Sequence, residues 1–534
     1  MENTLCTSQK FSISDFLNKN WLAVYLLSLL AYLPFFFFFI WGNHDWEWIK
    51  IGTPFFSGVF EGRFSQFILQ TSLTLGQIIP ILSLSLGLLF FSLTPIILSK
   101  IWDIPQNAKN IILLSLILTT SPYTIAWLYF AFLILSCLSW PFFIAIAFYL
   151  LQKYRTITSV LISCIIFYLS LGGYPPVINM IGIIIFTLLL NDICIKHLTI
   201  KTLFKKYIPF AISIISALIL FSITFYYLKK YDLMQPTYNT APIKLADLSQ
   251  KLIFSIKVSI EQFLVSKTFM SYKYKYLFLC ICLIGCFELF IKMPKTLTHI
   301  SLFILCLFGL LISSILTTFA ATNTAFVLYE PRIEFFSIIY IYLYFSSTIL
   351  SLSNRLTKNL AYIALFFIII SNYQTLSYAQ KIWKQGFLAE ANLSDRIIKR
   401  IENHPKFDIN KKYTFLQGGV LNFRGRFHTP IAHETVDTYF ITAPYIPWHL
   451  PTKNYKLFYP KDAFGKDFDV YWSTIPPTQI NINTAMTQYI RHFAQPFPNN
   501  HGLYMDNNTI ILTLTEDGKN YAKHWLNRYY QQPF

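Results

Sequence analysis

Apolar stretches long enough to cross a bilayer recur through the first two thirds of the chain, parted by short polar segments. They lie near 21–41, 76–99, 110–128, 133–152, 156–172, 175–191, 208–227, 276–291, 300–318, 334–351 and 359–376. A spanning helix needs roughly 20 apolar residues, so this pattern predicts about eleven spans. The first stretch follows Lys10 and Lys19 and ends without a small-residue cleavage pattern, which predicts an uncleaved signal anchor.

The loops set the orientation. Lys100 and Lys109, Lys153 and Arg155, the group Lys196, Lys201, Lys205 and Lys206, then Lys292 and Lys295, then Arg355 and Lys358 fall on alternate turns, on the side of the N-terminus. Basic residues in short loops mark the cytoplasmic face. The loops 42–66, 228–275 and 319–333, and everything after 376, are then expected outside the cytoplasm. The 228–275 loop runs against the rule with Lys229, Lys230, Lys244, Lys251, Lys257, Lys267, Lys273 and Lys275, although long loops weigh little in it. Within that loop, Leu245 to Phe269 carries apolar residues at 248, 252, 253, 256, 260, 263 and 264 around Lys251, Lys257 and Glu261. This spacing predicts a helix lying on the membrane surface.

From about residue 380 the pattern becomes that of a soluble domain, rich in Asn, Lys, His and Pro. Leu393, Ile397, Ile398 and Ile401 mark one face of an early helix. Tyr413 to Gln417, before Gly418-Gly419, predicts a strand; Thr509 to Thr515 predicts another, ended by Glu516-Asp517-Gly518. The fold class expected is mainly α: a polytopic membrane domain over 1–376 and a small α/β extracytoplasmic domain over 377–534.

Composition supports the membrane reading and removes one alternative. Of 534 residues, 54% are hydrophobic and 13% charged, more apolar surface than a soluble protein of this size can hide. The formal charge of +18 invites nucleic acid as a partner. The basic residues, however, are scattered between apolar runs and form no stripe or module signature, so no nucleic acid is expected. The eight cysteines are Cys6, Cys137, Cys164, Cys194, Cys280, Cys282, Cys286 and Cys306, all but Cys6 and Cys194 inside apolar runs, and no disulfide framework is expected. Cys282 and Cys286, at helical spacing, are packing residues. His428, His433 and Glu434 have spacing that misses the i, i+4 arrangement of a helical zinc pair, and are expected as surface residues.

Candidate chemistry concentrates in 43–64, NHDWEWIKIGTPFFSGVFEGRF, directly after the first span. Asp45, Glu47, Glu61 and Arg63 stand there among aromatics at a membrane surface, in a chain where carboxylates are scarce. Trp46 and Trp48 are placed either to anchor at the interface or to stack on a sugar face. Farther on, Gly172-Gly173-Tyr174-Pro175-Pro176 breaks an apolar hairpin on the external side, Ser121-Pro122-Tyr123 with Trp127 forms a similar interruption, and Glu330-Pro331-Arg332 precedes a late span.

In its order of parts the chain resembles the GtrII-type glucosyltransferases that modify O-antigen, within the GT-C superfamily of lipid-linked-sugar transferases. The resemblance rests on Asp45 in His44-Asp45-Trp46, on Glu61-Gly62-Arg63-Phe64, on the 172–176 break and on Pro331-Arg332, and extends over about 1–350. Two departures stand out: Phe64 follows Gly-Arg where the family often has Trp, and Asp45 and Glu47 lie two apart where the family often has adjacent acids.

The resemblance implies a GT-C type fold and an inner-membrane enzyme of a bacterium, with the C-terminal domain in the periplasm. It implies transfer of a hexose, glucose by preference, from a polyprenyl phosphate to a glycan or lipopolysaccharide acceptor. Physical logic runs alongside: nucleotide sugars are absent outside the cytoplasm, so an activated sugar must arrive on a lipid, made by a donor-lipid synthase and carried across by a flippase. Transfer needs a carboxylate to take the acceptor proton and cations to hold the departing phosphate. Asp45 is the expected base, with Glu47 as alternate or acceptor-orienting group. Arg63 and Arg332 are the expected phosphate-binding residues, against a plainer role in snorkelling or in pairing with Glu61, Glu330 or Glu334. Glu61, Tyr174, Trp46, Tyr123 and Glu330 are the expected substrate contacts.

A single base and direct attack give inversion. No metal ligand is assigned and no cofactor is expected; a divalent cation, if used, would take Asp45, Glu47 and Glu61 as oxygen ligands. Two other functions fit parts of the pattern. An O-antigen polymerase would use basic external loops such as 228–275. A lipid-linked glycan flippase or other transporter would need ionisable residues inside spans or matched inverted halves, and neither is evident in the sequence.

Overall fold

The computed structural model describes residues 20–37, 53–105, 107–128, 130–234, 248–260, 272–320, 335–408, 414–418, 483–506 and 509–514, with a few isolated residues from 516 to 526. The chain forms two compact units, Met1–Ala379 and Gln380–Phe534.

The first unit is helical. Its main helices are α1 (Trp21–Ala31), α2 (Ile68–Thr74), α3 (Pro80–Ile101), α4 (Ala108–Thr119), α5 (Ile134–Lys153), α6 (Ile157–Gly173), α7 (Val177–Cys194), α8 (Ile200–Lys230), α9 (Leu248–Ile260), α10 (Tyr272–Lys292), α11 (Leu297–Ala320), α12 (Ile338–Leu352) and the start of α13 (Arg355–Glu402). Among the described residues, seven helical segments are long and apolar enough to cross a membrane: Pro80–Ile101, Ala131–Lys153, Val177–Cys194, Ile200–Lys230, Tyr274–Lys292, Leu297–Phe319 and Arg355–Lys381. The protein is therefore a polytopic membrane protein. Three further apolar helices, α1, α6 and α12, are shorter.

The stretch expected as one span over 110–128 is instead a bent pair, α4 followed by Pro122–Leu128 at 40°. Pro122 starts the second piece, where it lacks the N–H that would continue the first. The surface helix expected over Leu245–Phe269 is described over Leu248–Ile260. It buries Ser255 and Val258 and leaves Leu252, Ile253 and Ile260 exposed.

Tight turns at one end of this unit share a local code. α3, α5 and α7 are followed by Asp103, Arg155 and His197, each with positive φ, which closes a helix into a sharp reversal. Asn107 and Thr156 then cap the next helices by accepting the N–H of Asn110 at 2.8 Å and of Ser159 at 3.2 Å. These turns bring oppositely charged residues of separate loops together, as in the Lys196–Asp103 ion pair at 2.6 Å.

Just inside this end lie ionisable residues that the sequence reading placed outside the spans. Asp192, 1% exposed in α7, accepts hydrogen bonds from Lys206 Nζ and, at 2.7 Å, from Tyr207 Oη, both on α8; Lys196 Nζ stands 3.4 Å away. α7 continues three residues past its apolar run, to Cys194, and α8 begins eight residues before its own, at Ile200, because the carboxylate and the ammonium satisfy each other there. Next to Asp192, Asn191 donates to the Trp102 carbonyl at 3.1 Å and accepts from Tyr344 at 2.8 Å, tying α7 to α3 and α12.

The described cysteines of this unit, Cys137, Cys164, Cys194, Cys280, Cys282, Cys286 and Cys306, are free thiols. Cys194 is buried at the end of α7 and so belongs to the apolar set after all.

The second unit begins within α13, which runs unbroken from Arg355 to Glu402, so the expected late span and the expected early helix are one element. Ile397 and Ile401 are buried. The unit carries a mixed three-stranded sheet of order β1-β3-β2. β1 (Thr414–Gly418) runs parallel to β3 (Thr509–Thr513), and β2 (Leu503–Met505) runs antiparallel to it. Met486, Tyr489, Ile490, Ala494, Ile511, Ala522 and Leu526 form a core there. His428, His433 and Glu434 lie outside the described residues.

Candidate functional site

The end of the helical unit opposite the basic turns holds a group of polar and aromatic side chains. It begins with a tight turn. Glu61 N donates to Gly58 O at 3.1 Å, Gly62 N to Val59 O at 2.8 Å and Arg63 N to Gly58 O at 2.9 Å. Gly62 takes φ of 76°, in the left-handed region that favours glycine. The turn points Glu61 and Arg63 the same way, and their side chains pair at 2.8 Å. Exposures of 27% for Arg63 and 37% for Glu61 make this a screened pair, worth about 0.2–1 kcal/mol.

The Arg63 guanidinium also lies over the Tyr174 ring, 5.3 Å from its centroid. Tyr174 sits at the α6–α7 break, its N–H still bonded to Ser170 O at 2.9 Å, its carbonyl accepting the Val177 N–H at 3.1 Å. Its ring is buried. Trp127 meets it edge-on at 4.8 Å, and Phe336 lies at 5.6 Å. Phe335 and Phe336 also contact Trp127, at 5.8 and 5.9 Å, so the bent α4 pair and the entry to α12 meet beneath the same tyrosine.

What holds Arg63 against Tyr174 is ring packing on glycine. A Cβ on Gly172 would stand 2.3 Å from the Phe64 ring, and one on Gly173 would stand 2.4 Å from the Trp140 ring. Only glycine admits both rings. Ser65 N bonds Gly172 O at 3.2 Å and Ser65 Oγ bonds Leu169 O at 2.5 Å. Ser136 Oγ donates to the Gln66 carbonyl. The Gly172-Gly173 pair is thus more than a helix-ending turn: it is the seat on which the Arg63 loop is fixed.

Of the residues expected from sequence, the structure brings Glu61, Arg63 and Tyr174 together. The plainer expectation for Arg63, pairing with Glu61, holds at the same time as its contact with Tyr174. Tyr123 is buried in the 3-10 turn Pro122–Thr124, four residues before Trp127. Next to it Thr124 shares a 2.5 Å hydrogen bond with Tyr32, which follows the last residue of α1. Asp45, Trp46, Glu47, Trp48, Glu330, Arg332 and Glu334 lie outside the described residues.

Sequence reasoning did not foresee the aromatic base under Tyr174. Trp127 stood out only as a neighbour of Tyr123, and Phe335-Phe336 looked like ordinary spanning sequence. The one usable signal was their position at the ends of apolar runs, beside prolines.

Chemically the group offers a guanidinium fork held by two weak contacts. A cation over an aromatic ring gains about 0.5–1 kcal/mol at such exposure. Hydrogen bonds to a charged partner are worth about 1.5–3 kcal/mol. A guanidinium held this weakly can exchange the Glu61 carboxylate for another anion.

A comparison with known families gives one model described as Glucosyl transferase GtrII, matched by residues 49–348. That interval covers Glu61, Arg63, Trp127, Tyr174, Glu330 and Arg332, and begins four residues after Asp45. No curated protein and no solved structure matches the chain.

Proposed function

The chain belongs to the GtrII glucosyl transferase family, and from that premise we propose that it moves glucose from a polyprenyl phosphate to a surface glycan or lipopolysaccharide acceptor at the extracytoplasmic face of a bacterial inner membrane. The observation that carries the reading is the Glu61–Arg63 pair set over Tyr174 at the end away from the lysine-rich turns. Positive turns mark the cytoplasmic face, so the opposite end faces the compartment where sugars travel on lipids. In this arrangement the short helices α1, α6 and α12 also cross, the C-terminal unit lies in the periplasm and contributes to acceptor binding, and the fold is of GT-C type.

In the proposed step the acceptor hydroxyl oxygen attacks the anomeric carbon. The bond from that carbon to the phosphate oxygen breaks, and polyprenyl phosphate departs with the bonding electrons. Asp45 takes the hydroxyl proton, with Glu47 orienting the acceptor; one displacement inverts the anomeric configuration. Arg63 and Arg332 bind the phosphate as its charge grows. Arg332 stands three residues before Phe335, whose ring is in the aromatic group. Asp45 lies eight residues before Thr53, a tether of at most about 3.5 Å per residue. The described chain resumes there, with Thr53 N bonded to Gly76 O at 2.7 Å. Glu61, Tyr174, Trp46, Tyr123 and Glu330 contact the sugars in this reading. No cofactor enters the step; a donor-lipid synthase and a flippase supply its substrate.

Arg63→Ala tests the phosphate assignment. The loss of its charge-assisted bonds is expected to lower kcat/KM for the lipid donor by about tenfold to a hundredfold, with acceptor KM nearly unchanged. An unaltered donor dependence would remove Arg63 from the phosphate.

A further inference from the structure

The inward face of α8 is covered over most of its length and then opens. Leu203, Lys206, Phe210, Ser213 and Ala217 are buried, whereas Phe221 and Phe225, one and two turns farther along the same face, are only half-buried. Across from them Phe64, directly after Arg63, and Tyr168 of α6 are half-buried as well. A helix face sealed at one end and part-covered at the other, with rings on both sides, forms a groove between helices.

Contacts tie this groove to Arg63. The Phe64 ring lies 5.0 Å from that of Tyr168 and 6.2 Å from that of Phe221, and Phe221 lies 6.0 Å from Phe225. Tyr168 Oη and Thr224 Oγ1 share a 2.9 Å hydrogen bond that links α6 to α8. Gly62, between Glu61 and Arg63, is pressed against the same helix: a Cβ there would stand 2.9 Å from both the Phe225 ring and the Met234 methyl carbon. The end of α8 sets the depth. Tyr226, Tyr227 and Tyr231 are exposed beside Lys229 and Lys230, the composition of a helix end at headgroup level, and Ile219, Leu220 and Ile223 are exposed just before them, as in the hydrocarbon layer. Phe225 therefore lies at the headgroup margin, and Phe221 lies one helical turn, about 5 Å, deeper. Arg63 stands at the depth of a lipid phosphate, and the rings lead from it toward the bilayer centre.

We propose that Phe64, Tyr168, Phe221 and Phe225 bind the first isoprene units of the lipid donor, which enters between α6 and α8 and is chosen there by the chemistry of its chain. The assignment rests on the reading of the protein as a lipid-phosphate-dependent transferase. Because the groove is continuous with the Arg63 turn, a phosphate on the guanidinium directs the attached chain onto these rings. Inside a bilayer one hydrocarbon chain merely replaces another, so selectivity must come from packing. Isoprene units are branched and unsaturated, and their methyl groups fill the spaces between ring faces that a straight saturated chain leaves empty.

The test compares two glucosyl phosphate donors in the same liposomes, one on a prenyl chain and one on a straight saturated chain of equal carbon number, with the full-length protein and with Phe221→Ala and Phe225→Ala. For the parent, kcat/KM is expected to favour the prenyl donor by about tenfold. Transfer from neither donor would overturn the lipid-phosphate reading itself; equal transfer from both would overturn the groove and leave that reading standing. Each variant is expected to reduce the preference to about threefold or less, acting on the prenyl donor more than on the straight one. A folded variant that keeps the full preference would overturn the assignment, as would an equal loss with both donors, the mark of a structural effect. A second measurement covers variants that fail to fold. Prenyl phosphate carrying a diazirine on its first isoprene unit is expected to label the parent at α8 near Phe221 and Phe225, and unlabelled prenyl phosphate, but not an excess of bulk phospholipid, is expected to prevent it. Label falling elsewhere, or displaced as well by phospholipid, would show an ordinary lipid contact and overturn the proposal.

Discussion

Asp45→Asn is expected to leave glucosyl transfer about a thousandfold below the parent rate, with the protein folded and inserted as before. The amide keeps the size and shape of the carboxylate and loses only its capacity to take a proton at neutral pH. General base catalysis contributes roughly 10² to 10⁴ in rate, and a sugar hydroxyl is a poor nucleophile until its proton is taken. The loss should therefore fall on kcat, and donor KM should move little. Glu47→Gln, under the same assay, is expected to act mainly on acceptor KM. A reversal of the two patterns would transfer the base to Glu47; parent-like turnover in Asp45→Asn would remove Asp45 from the chemistry. This assignment depends on sequence order, since the match to the GtrII family starts at residue 49 and the described chain at this loop resumes at Thr53.

The second large effect falls on the scaffold. Asp192→Asn removes the carboxylate that Lys206, Tyr207 and Lys196 share and leaves the Lys206 ammonium, 8% exposed, without its counter-charge inside the α7–α8 hairpin. Breaking a buried pair from one side costs about 3–5 kcal/mol, because the remaining charge still lacks water. The variant is expected to melt well below the parent in detergent. Asp192→Leu combined with Lys206→Met, which removes both charges, is expected to recover most of the loss. A single substitution as stable as the parent would show that Lys206 reaches water or another anion. Because Asp192 and Lys206 neutralise each other at one end of the helices, they do not supply the ion path that a transporter would require.

Much of the helical unit was legible because bilayer-length apolar runs leave little choice of backbone. The errors share a cause. Asp192, Lys206 and Lys275 were read as loop residues since charge normally ends a span, whereas each is buried in a helix. The last apolar run and the helix face at 393–401 were read as two helices where α13 carries both, because composition reports the surroundings of a helix more than its continuity. Gly386 alone is too weak a breaker, at about 1 kcal/mol, to end it. The bend at Pro122 was signalled by the proline, but apolar length outweighed it.

At the site, Glu61, Arg63 and Tyr174 were legible by contrast, as polar groups in apolar surroundings. Trp127, Phe335 and Phe336 were not, because a chain with 52 phenylalanines gives an aromatic residue no contrast. The meaning of Gly172 was hidden for another reason: the ring it admits, Phe64, lies more than a hundred residues earlier in the chain.

The central claim is that the sugar comes from a lipid phosphate, and donor choice tests it most directly. Purified protein in liposomes would be offered labelled glucose either on polyprenyl phosphate or as a nucleotide sugar, each with the same glycan acceptor. The account predicts label in the acceptor from the lipid donor alone. Transfer from the nucleotide sugar at a comparable rate, with no lipid donor present, would contradict it.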